Sequence, residues 1–288
     1  MNPKGKLLII GGAEDKGNDD LFAESPKDLE YPRLEILREI LTFSKNKKIE
    51  IITTGSRVPG EVREIYQKAF HQLHYPNPGF LSIKDKIEAH NPDFLSRIEN
   101  ANAVFFTGGD QFRLATILGG TPIADLIKKK YVHDTNFLIA GTSAGAMVMS
   151  SVMITEGGKE EALFGRNLKT SSGLSVLQNC IIDTHFIKRG RFSRLALAVI
   201  LNPDLLGIGL GEDTALIIKN GSNAECRGSG MVVIIDGKNI AQTNVSEVTE
   251  SEPIFVENLK VHLLVKGCRF SIKNRQLAKP ALNFKNRK

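Results

Sequence analysis

The chain has 288 residues, of which 41% are hydrophobic and 24% are charged, and its formal net charge is +6. This composition is ordinary for a soluble globular protein. The excess of basic residues is not gathered into one long block, which argues against a nucleic-acid-binding protein. No apolar run approaches the length of a membrane span. We therefore expect neither nucleic acid nor a membrane as a partner.

Cysteine usage and the start of the chain bear on its cellular compartment. Cys180, Cys226 and Cys268 are far apart, odd in number and without CxxC or Cys/His ligand spacing, so neither a disulfide framework nor a zinc site is indicated. Residues 1–6 run directly into a strand-like segment, without a long apolar region or a cleavage site, so we predict no signal peptide. We expect a cytoplasmic protein without a metal or another cofactor.

Short apolar runs alternate with helical patterns over the first half of the chain. We predict strands at residues 7–10, 49–53, 80–83, 103–106 and 137–140. We predict helices at residues 32–44, 60–73, 92–100, 111–118 and 122–130. This alternation, with strands that are almost entirely apolar, favours an α/β fold with a parallel sheet covered by helices on both faces. Three of the strands end in glycine-rich turns, which should meet at the ligand-binding edge of such a sheet.

The pattern changes after about residue 204. Short strand-like runs follow at residues 206–210, 215–218, 231–235, 240–243 and 261–265, and Gly and Asn separate them as in hairpins. We predict antiparallel strands that close one side of the same domain. Because there is no linker, repeat or low-complexity segment, we expect a single domain over residues 1–288, with a core of about 5–270 and a basic tail of about 276–288.

The most informative motif is a glycine-flanked serine that follows a predicted strand. Gly141-Thr142-Ser143-Ala144-Gly145 matches Gly-x-Ser-x-Gly and leads into a predicted helix. This is the pattern of a nucleophile elbow, in which small neighbours let the strand and the helix pack closely around an exposed hydroxyl. The alternative is a tight strand-to-helix turn with an incidental serine. The strand–turn–helix context favours the nucleophile.

A serine nucleophile needs a base and a group that orients the base. His185 follows the strand-like residues 180–183, whereas most of the other histidines fall in predicted surface helices and loops. The best candidates for the orienting carboxylate are Glu212 and Asp213, in a turn between two apolar runs. Asp183 competes with them, because residues two apart on a strand point to the same face. The pattern alone leaves this choice open.

Two further segments could serve the same site. Arg189, Arg191 and Arg194 lie within six residues, and guanidinium groups suit bidentate binding of carboxylates; the alternative is a solvated helix start. The strand-end turn with Gly108 and Gly109 could supply the second oxyanion N–H beside that of Ala144. A phosphate-binding turn is the alternative, but it fits neither a Walker motif nor a dinucleotide fingerprint.

Taken together, these segments resemble the cyanophycinase family of serine peptidases, which also includes the α-aspartyl dipeptidases. The similarity runs in family order across roughly residues 5–240. The matching residues are Ile9-Ile10-Gly11-Gly12-Ala13-Glu14-Asp15, Thr107-Gly108-Gly109-Asp110-Gln111, Gly141-Thr142-Ser143-Ala144-Gly145-Ala146, Asp183-Thr184-His185-Phe186 with the arginines after it, and Gly209-Leu210-Gly211-Glu212-Asp213-Thr214-Ala215. Five segments in order are far more specific than one short motif.

The resemblance implies a three-layer α/β/α fold like that of class I glutamine amidotransferases, with a serine at the elbow. It implies a triad of Ser143 as nucleophile, His185 as base and Glu212 as acid, and so favours Glu212 over Asp183. It also implies a homodimer. Further positions match residues that line the family's substrate pocket: Gln111, Asp183, Arg189, Arg191 and Arg194. Thr184 departs from the family, which has glutamine at this position of the pocket, so the departure bears on the fine substrate preference and not on the chemistry.

The resemblance also implies a substrate. Cyanophycin is a poly-aspartate chain with arginine amide-linked to each β-carboxyl, and its hydrolysis releases β-aspartyl-arginine dipeptides through an acyl-enzyme. The arginine side chains of the pocket could hold its free carboxylates, and acids such as Asp183 its guanidinium groups. Two alternatives remain: a dipeptidase acting on short Asp-X peptides, and a non-catalytic binding protein on the same fold.

Overall fold

The computed structural model describes residues 2–17, 32–44, 48–157, 163–164, 168–249 and 252–278. The predicted basic tail lies outside these residues from residue 279 onward. The strands of the first half are β1 (Lys6–Ile10), β2 (Ile49–Ile52), β3 (Gly79–Leu81), β4 (Ala103–Phe106) and β5 (Leu138–Thr142). The helices are α1 (Glu35–Ser44), α2 (Pro59–Gln72), α3 (Pro92–Glu99), α4 (Gln111–Leu118), α5 (Pro122–His133), α6 (Ala144–Met147) and α7 (Phe192–Leu201).

The second half of the chain adds mostly antiparallel strands. They are β6 (Val152–Gly157), β7 (Leu168–Ser172), β8 (Cys180–Asp183), β9 (Leu206–Leu210), β10 (Thr214–Lys219), β11 (Asn223–Gly228), β12 (Val232–Asp236), β13 (Gln242–Thr243), β14 (Val256–Glu257), β15 (Lys260–Leu264), β16 (Arg269–Ser271) and β17 (Gln276–Leu277). Where a strand is predicted, its bounds differ from the predicted ones by a few residues, as is usual at element ends. The sequence patterns do not predict β6, β7, β11, β14, β16 and β17.

The central sheet confirms the predicted α/β fold. Its order is β17-β16-β11-β10-β1-β5-β4-β2-β3, and the block β1-β5-β4-β2-β3 is parallel throughout. Alternate residues of its strands enter two separate cores: Leu7 and Ile9 pack with α3 to α6, whereas Leu8 and Ile10 pack with α1 and α2. Helices therefore cover both faces, which explains why these strands read as continuous apolar runs.

The C-terminal strands are divided between two sheets. The sequence pattern instead predicts a single group of strands that closes one side of the domain. Strand β10 pairs antiparallel with β1 and continues the central sheet through β11, β16 and β17. Strands β8, β9, β12 and β15 instead form a second sheet, which shares a core with α3 to α6 and carries α7 on it. Apolar runs of equal length predict strands but do not reveal which sheet they join.

The site is positioned by strand ends that meet at one edge of the molecule. In the central sheet Ile10 at the end of β1 is opposite Thr142 at the end of β5, and Phe106 at the end of β4 is opposite Gly141. Strand β8 of the second sheet ends at Asp183, just before His185. The predicted convergence of the glycine-rich turns is thus confirmed, because the carboxyl ends of parallel strands share an edge.

Candidate active site

Ser143 occupies a sharp turn between β5 and α6, with φ +52° and ψ −118°. The two glycines of the motif are required by close packing. A Cβ on Gly141 would lie 2.3 Å from the carbonyl oxygen of Gly145, and one on Gly145 would lie 2.2 Å from the carbonyl oxygen of Phe106. Both distances are far below contact distance, so a larger residue at either position would displace the turn. The geometry is that of a nucleophile elbow.

A continuous hydrogen-bonded chain runs from the serine to a carboxylate. Ser143 Oγ lies 3.0 Å from His185 Nε2, and His185 Nδ1 lies 2.7 Å from Glu212 Oε1. The second carboxylate oxygen of Glu212 lies 3.2 Å from Lys188 Nζ, a contact that the sequence patterns do not predict. Among the carboxylates that compete for the imidazole, the structure therefore places Glu212, and not Asp183, beside it.

The charges around the Ser143–His185–Glu212 hydrogen bonds favour a neutral imidazole next to an ionised carboxylate. Burial lowers the pKa of His185, the charges of Arg189 and Arg191 act in the same direction, and the hydrogen bond to Glu212 opposes them. Partial burial alone would raise the pKa of Glu212, but hydrogen bonds from His185 and Lys188 outweigh burial and lower it. With Glu212 ionised, the imidazole proton lies on Nδ1, which leaves the Nε2 lone pair facing the Ser143 hydroxyl.

Three successive carbonyl groups at the end of β1 hold the backbones of Ser143, His185 and the residue after Glu212 in place. Ile10 O accepts a hydrogen bond from Ser143 N at 3.0 Å, and Gly11 O accepts one from His185 N at 2.8 Å. Gly12 O accepts one from Asp213 N, next to Glu212, at 3.0 Å. The three donor residues have φ values of +52°, +48° and +45°, in the left-handed region that non-glycine residues rarely adopt. The end of β1 thus fixes three strained backbones that were distant in the sequence.

Gly12 also leaves space for the imidazole. Its φ is +95°, and a Cβ at this position would lie 2.4 Å from His185 Nε2, the atom that faces the serine. Any side chain would therefore displace the ring or the turn. The second glycine of Gly11-Gly12 is explained by the histidine, a residue that the sequence pattern does not connect with it.

Asp183 is used inside the protein. Its carboxylate is fully buried and accepts hydrogen bonds from Arg194 Nε at 2.6 Å, from Arg194 Nη2, and from Arg191 Nη1 at 3.2 Å. Burial lowers the pKa of Arg191 to about 10, although the Asp183 charge opposes this shift. Because the two guanidinium groups and the carboxylate satisfy one another, this cluster forms a fixed wall beside His185.

The other predicted pocket residues differ in how free they are. The side chain of Arg189 is exposed and, within the described part of the chain, makes no hydrogen bond or ion pair. Gln111 is committed to the β6 backbone, because its Nε2 donates to Ile154 O at 3.1 Å and to Thr155 O at 3.3 Å. Thr184 is fully buried, and its hydroxyl has no partner among the described residues.

The predicted oxyanion donors flank the serine. A Cβ on Gly108 would lie 3.5 Å from Ser143 Cβ, so the turn after β4 lies directly against the elbow. Gly109 follows with φ +136°, and a side chain there would meet the carbonyl oxygen of Gly55 at 2.2 Å. Ala144 is the first residue of α6, so its N–H has no acceptor within that helix. The N–H of Gly109, in the turn after β4, and the N–H of Ala144, at the start of α6, thus both belong to segments next to Ser143.

The described residues contain no group of three or more His, Cys, Asp and Glu side chains placed to hold a metal ion. Among the same residues, no helix combines the length and the apolar character needed to cross a membrane.

Comparisons with known proteins identify the family and support the fold. The sequence pattern of peptidase family S51 matches residues 25–225. The chain is 34% identical over 274 residues to a cyanophycinase of Trichormus variabilis, which covers 94% of this chain and 87% of that protein. It is 33% identical over 223 residues to a peptidase E of Nostoc sp., covering 75% and 84% of the two chains. The fold is similar to that of a peptidase from an acI-B1 Actinobacterium, with a TM-score of 0.64 at 21% identity and coverage of 94% and 98%.

Proposed function

This chain belongs to peptidase family S51 and is a serine-type peptidase, and we propose that it hydrolyses the backbone of cyanophycin with Ser143 as the nucleophile. The observation that carries the proposal is the hydrogen-bonded chain from Ser143 through His185 to Glu212, with distances of 3.0 Å and 2.7 Å. A serine hydroxyl is a weak nucleophile by itself, and an adjacent base that is held by a carboxylate activates it.

In the acylation step, His185 Nε2 takes the proton of the Ser143 hydroxyl while Oγ attacks the carbonyl carbon of the scissile bond. The N–H groups of Gly109 and Ala144 stabilise the oxyanion that develops on the carbonyl oxygen. His185 then gives its proton to the leaving amine, and the carbon–nitrogen bond breaks. Glu212 stays ionised throughout, because it stabilises the imidazolium through the Nδ1 proton without accepting it.

In the deacylation step, His185 again acts first as a base and then as an acid, with water as the nucleophile. Nε2 takes a proton from a water molecule, the resulting hydroxide attacks the acyl carbon, and the bond to Ser143 Oγ breaks. The proton returns to Oγ, which restores the free serine and releases the carboxylic acid product. We propose that this product is a β-aspartyl-arginine dipeptide, released by exopeptidase action at one end of the polymer.

The charge pattern beside the serine supports a substrate that carries free carboxylates. Arg189 is exposed and makes no side-chain hydrogen bond or ion pair within the described residues, and its charge adds to burial in lowering the pKa of His185. A guanidinium group in this position can bind the free carboxylate that each pendant arginine of cyanophycin carries. Arg191 and Arg194 would shape the same wall, held by Asp183, and would not be free to clamp the substrate bidentately.

A second candidate function is the hydrolysis of short Asp-X peptides. The similarity to a peptidase E favours it, and both functions use the same serine chemistry. The discriminating experiment incubates the purified protein separately with cyanophycin and with a set of Asp-X dipeptides, and identifies the products by mass. Release of β-aspartyl-arginine from the polymer, with little dipeptide cleavage, is the expected result. Cleavage of Asp-X dipeptides alone would replace the proposed substrate with the second candidate.

The third possibility, a non-catalytic binding protein, makes a different prediction. A fluorophosphonate reacts covalently with serines that are activated by a neighbouring base. We expect it to label Ser143 stoichiometrically in the folded protein and to leave the denatured protein unlabelled. An unreactive Ser143 in folded protein would favour the binding protein.

A further inference from the structure

A second buried carboxylate lies beneath the nucleophile elbow. Glu14, four residues after the end of β1, is fully buried. Its Oε2 accepts a hydrogen bond from the Thr142 hydroxyl at 2.5 Å, and its Oε1 accepts one from the Tyr66 hydroxyl at 2.5 Å. The ammonium group of Lys16 lies 3.3 Å from Oε1 and supplies the opposite charge. Both carboxylate oxygens are therefore occupied within the protein.

Burying a carboxylate has a desolvation cost, and the hydrogen-bond partners of Glu14 indicate which part of the structure it stabilises. Removing a carboxylate from water destabilises a fold unless hydrogen bonds and an opposite charge compensate for the lost hydration. Here the compensation includes Thr142, which is the last residue of β5 and is joined directly to Ser143. The contact spans 128 positions in sequence, so no local folding requirement explains it.

The side chain of Glu14 supplements the main-chain contacts at the end of β1. The carbonyls of Ile10, Gly11 and Gly12 hold the backbones of Ser143, His185 and Asp213, as described above. Asp15 N in addition donates to Asp213 Oδ1 at 3.3 Å. Ser143 is held through its own N–H on one side, and the Glu14–Thr142 hydrogen bond holds the residue before it from below. The elbow is thus fixed at two successive residues.

We infer that Glu14 is a positioning residue for the nucleophile: through Thr142, its carboxylate sets the backbone from which Ser143 presents its hydroxyl to His185. The inference rests on the proposed role of Ser143 as the nucleophile. Glu14 has no exposed surface and so does not touch the substrate. Its removal changes the rate of reaction at Ser143 and leaves substrate affinity nearly unchanged.

The test measures Ser143 reactivity per folded molecule in three variants. Labelling with a fluorophosphonate gives both the number of reactive serines and the labelling rate constant, and turnover is then expressed per reactive serine. Glu14→Leu, which leaves no acceptor for the Thr142 hydroxyl, is expected to lower kcat and the labelling rate about 10- to 100-fold, because small misplacements of a reacting group cost this much. KM should change less than about twofold, since the effect is on positioning and not on binding. Thr142→Val should reproduce most of the loss, whereas Tyr66→Phe, which leaves the bond to Thr142 intact, should not.

Two controls separate positioning from mere stabilisation of the fold. Glu50→Leu removes another buried carboxylate, which lies on β2 away from the elbow and is paired with Arg97. This variant should lower stability but leave the labelling rate per folded molecule unchanged. The double variant Glu14→Leu/Thr142→Val should react no more slowly than Glu14→Leu alone, because both substitutions remove the same contact. A Glu14→Leu labelling rate equal to that of the wild type, or losses in Glu14→Leu and Thr142→Val that multiply, would overturn the inference.

The same experiment distinguishes a failure of this inference from a failure of the proposed substrate. Labelling needs no substrate, so a wild-type protein that is labelled but does not cleave cyanophycin would refute the substrate while leaving the comparison of variants valid. A wild-type protein that is not labelled would refute both the nucleophile and the role of Glu14.

Discussion

Asp183 and Arg194 form a buried ion pair beside the proposed active site, in which Arg194 Nε donates to Asp183 Oδ2 at 2.6 Å and the carboxylate has no exposed surface. Arg191 completes the cluster from the other side, at 3.2 Å. Because two guanidinium groups already satisfy this carboxylate, we expect it to maintain the shape of the site and not to bind the substrate directly. The two roles, structural and substrate-binding, predict different effects of removing its charge.

Asp183→Asn should lower the free energy of unfolding by about 3 kcal/mol, because it leaves two partly buried guanidinium groups without their counter-charge. Urea unfolding measures the change. The matched control is Lys169→Met, which breaks the ion pair between Lys169 and Glu156, both largely exposed, and should cost less than about 1 kcal/mol. A variant with wild-type stability and a raised KM would show instead that Asp183 meets the substrate directly.

The pH dependence of activity should respond to Arg189. In the proposed mechanism the neutral form of His185 is the base, so kcat/KM should fall as the pH drops through the pKa of the imidazole, which burial and nearby cations lower. Arg189→Met removes one cation, stabilises the imidazolium, and should therefore move the acid limb of the kcat/KM profile to higher pH. Lys129→Met, which removes an exposed lysine from α5 at a distance from the site, is the control for net charge. An unshifted limb in Arg189→Met would mean that this guanidinium does not act on the base.

Gly12→Ala should abolish most activity through the position of the imidazole. A Cβ at this position would lie 2.4 Å from His185 Nε2, in a backbone with φ +95°. Gly120→Ala is the matched control, because Gly120 also has a positive φ, of +69°, but open space around it. Both substitutions carry a backbone cost of about 1 kcal/mol, and only Gly12→Ala should lower kcat. Equal kinetic effects in the two variants would refute the steric explanation.

Much of the fold and part of the site could be predicted from the sequence. The parallel strands were visible because strands covered on both faces are continuously apolar, and the elbow was visible because close packing demands Gly141 and Gly145 around Ser143. The choice of Glu212 over Asp183 came from the family resemblance, and the hydrogen bond to His185 agrees with it. These features are either local or carried by a motif.

Other features depend on contacts between distant segments. Strand β7 was missed because its Lys, Thr and Ser residues lack a buried face, and it is held by pairing with β6. The burial of Asp183 and the contact between Glu14 and Thr142 are set by which strands become neighbours. Charged residues are usually solvated, so a single sequence gives no sign that these two carboxylates lie inside.

The most direct test of the account is the turnover of purified cyanophycin by the wild-type protein and by Ser143→Ala, with products identified by mass. Ser96→Ala, which changes an exposed serine on α3, is the control. We predict that the wild type and Ser96→Ala release β-aspartyl-arginine, and that Ser143→Ala keeps its fold but loses about 1,000-fold or more in kcat. A folded Ser143→Ala protein that retains most of the wild-type turnover would contradict the account.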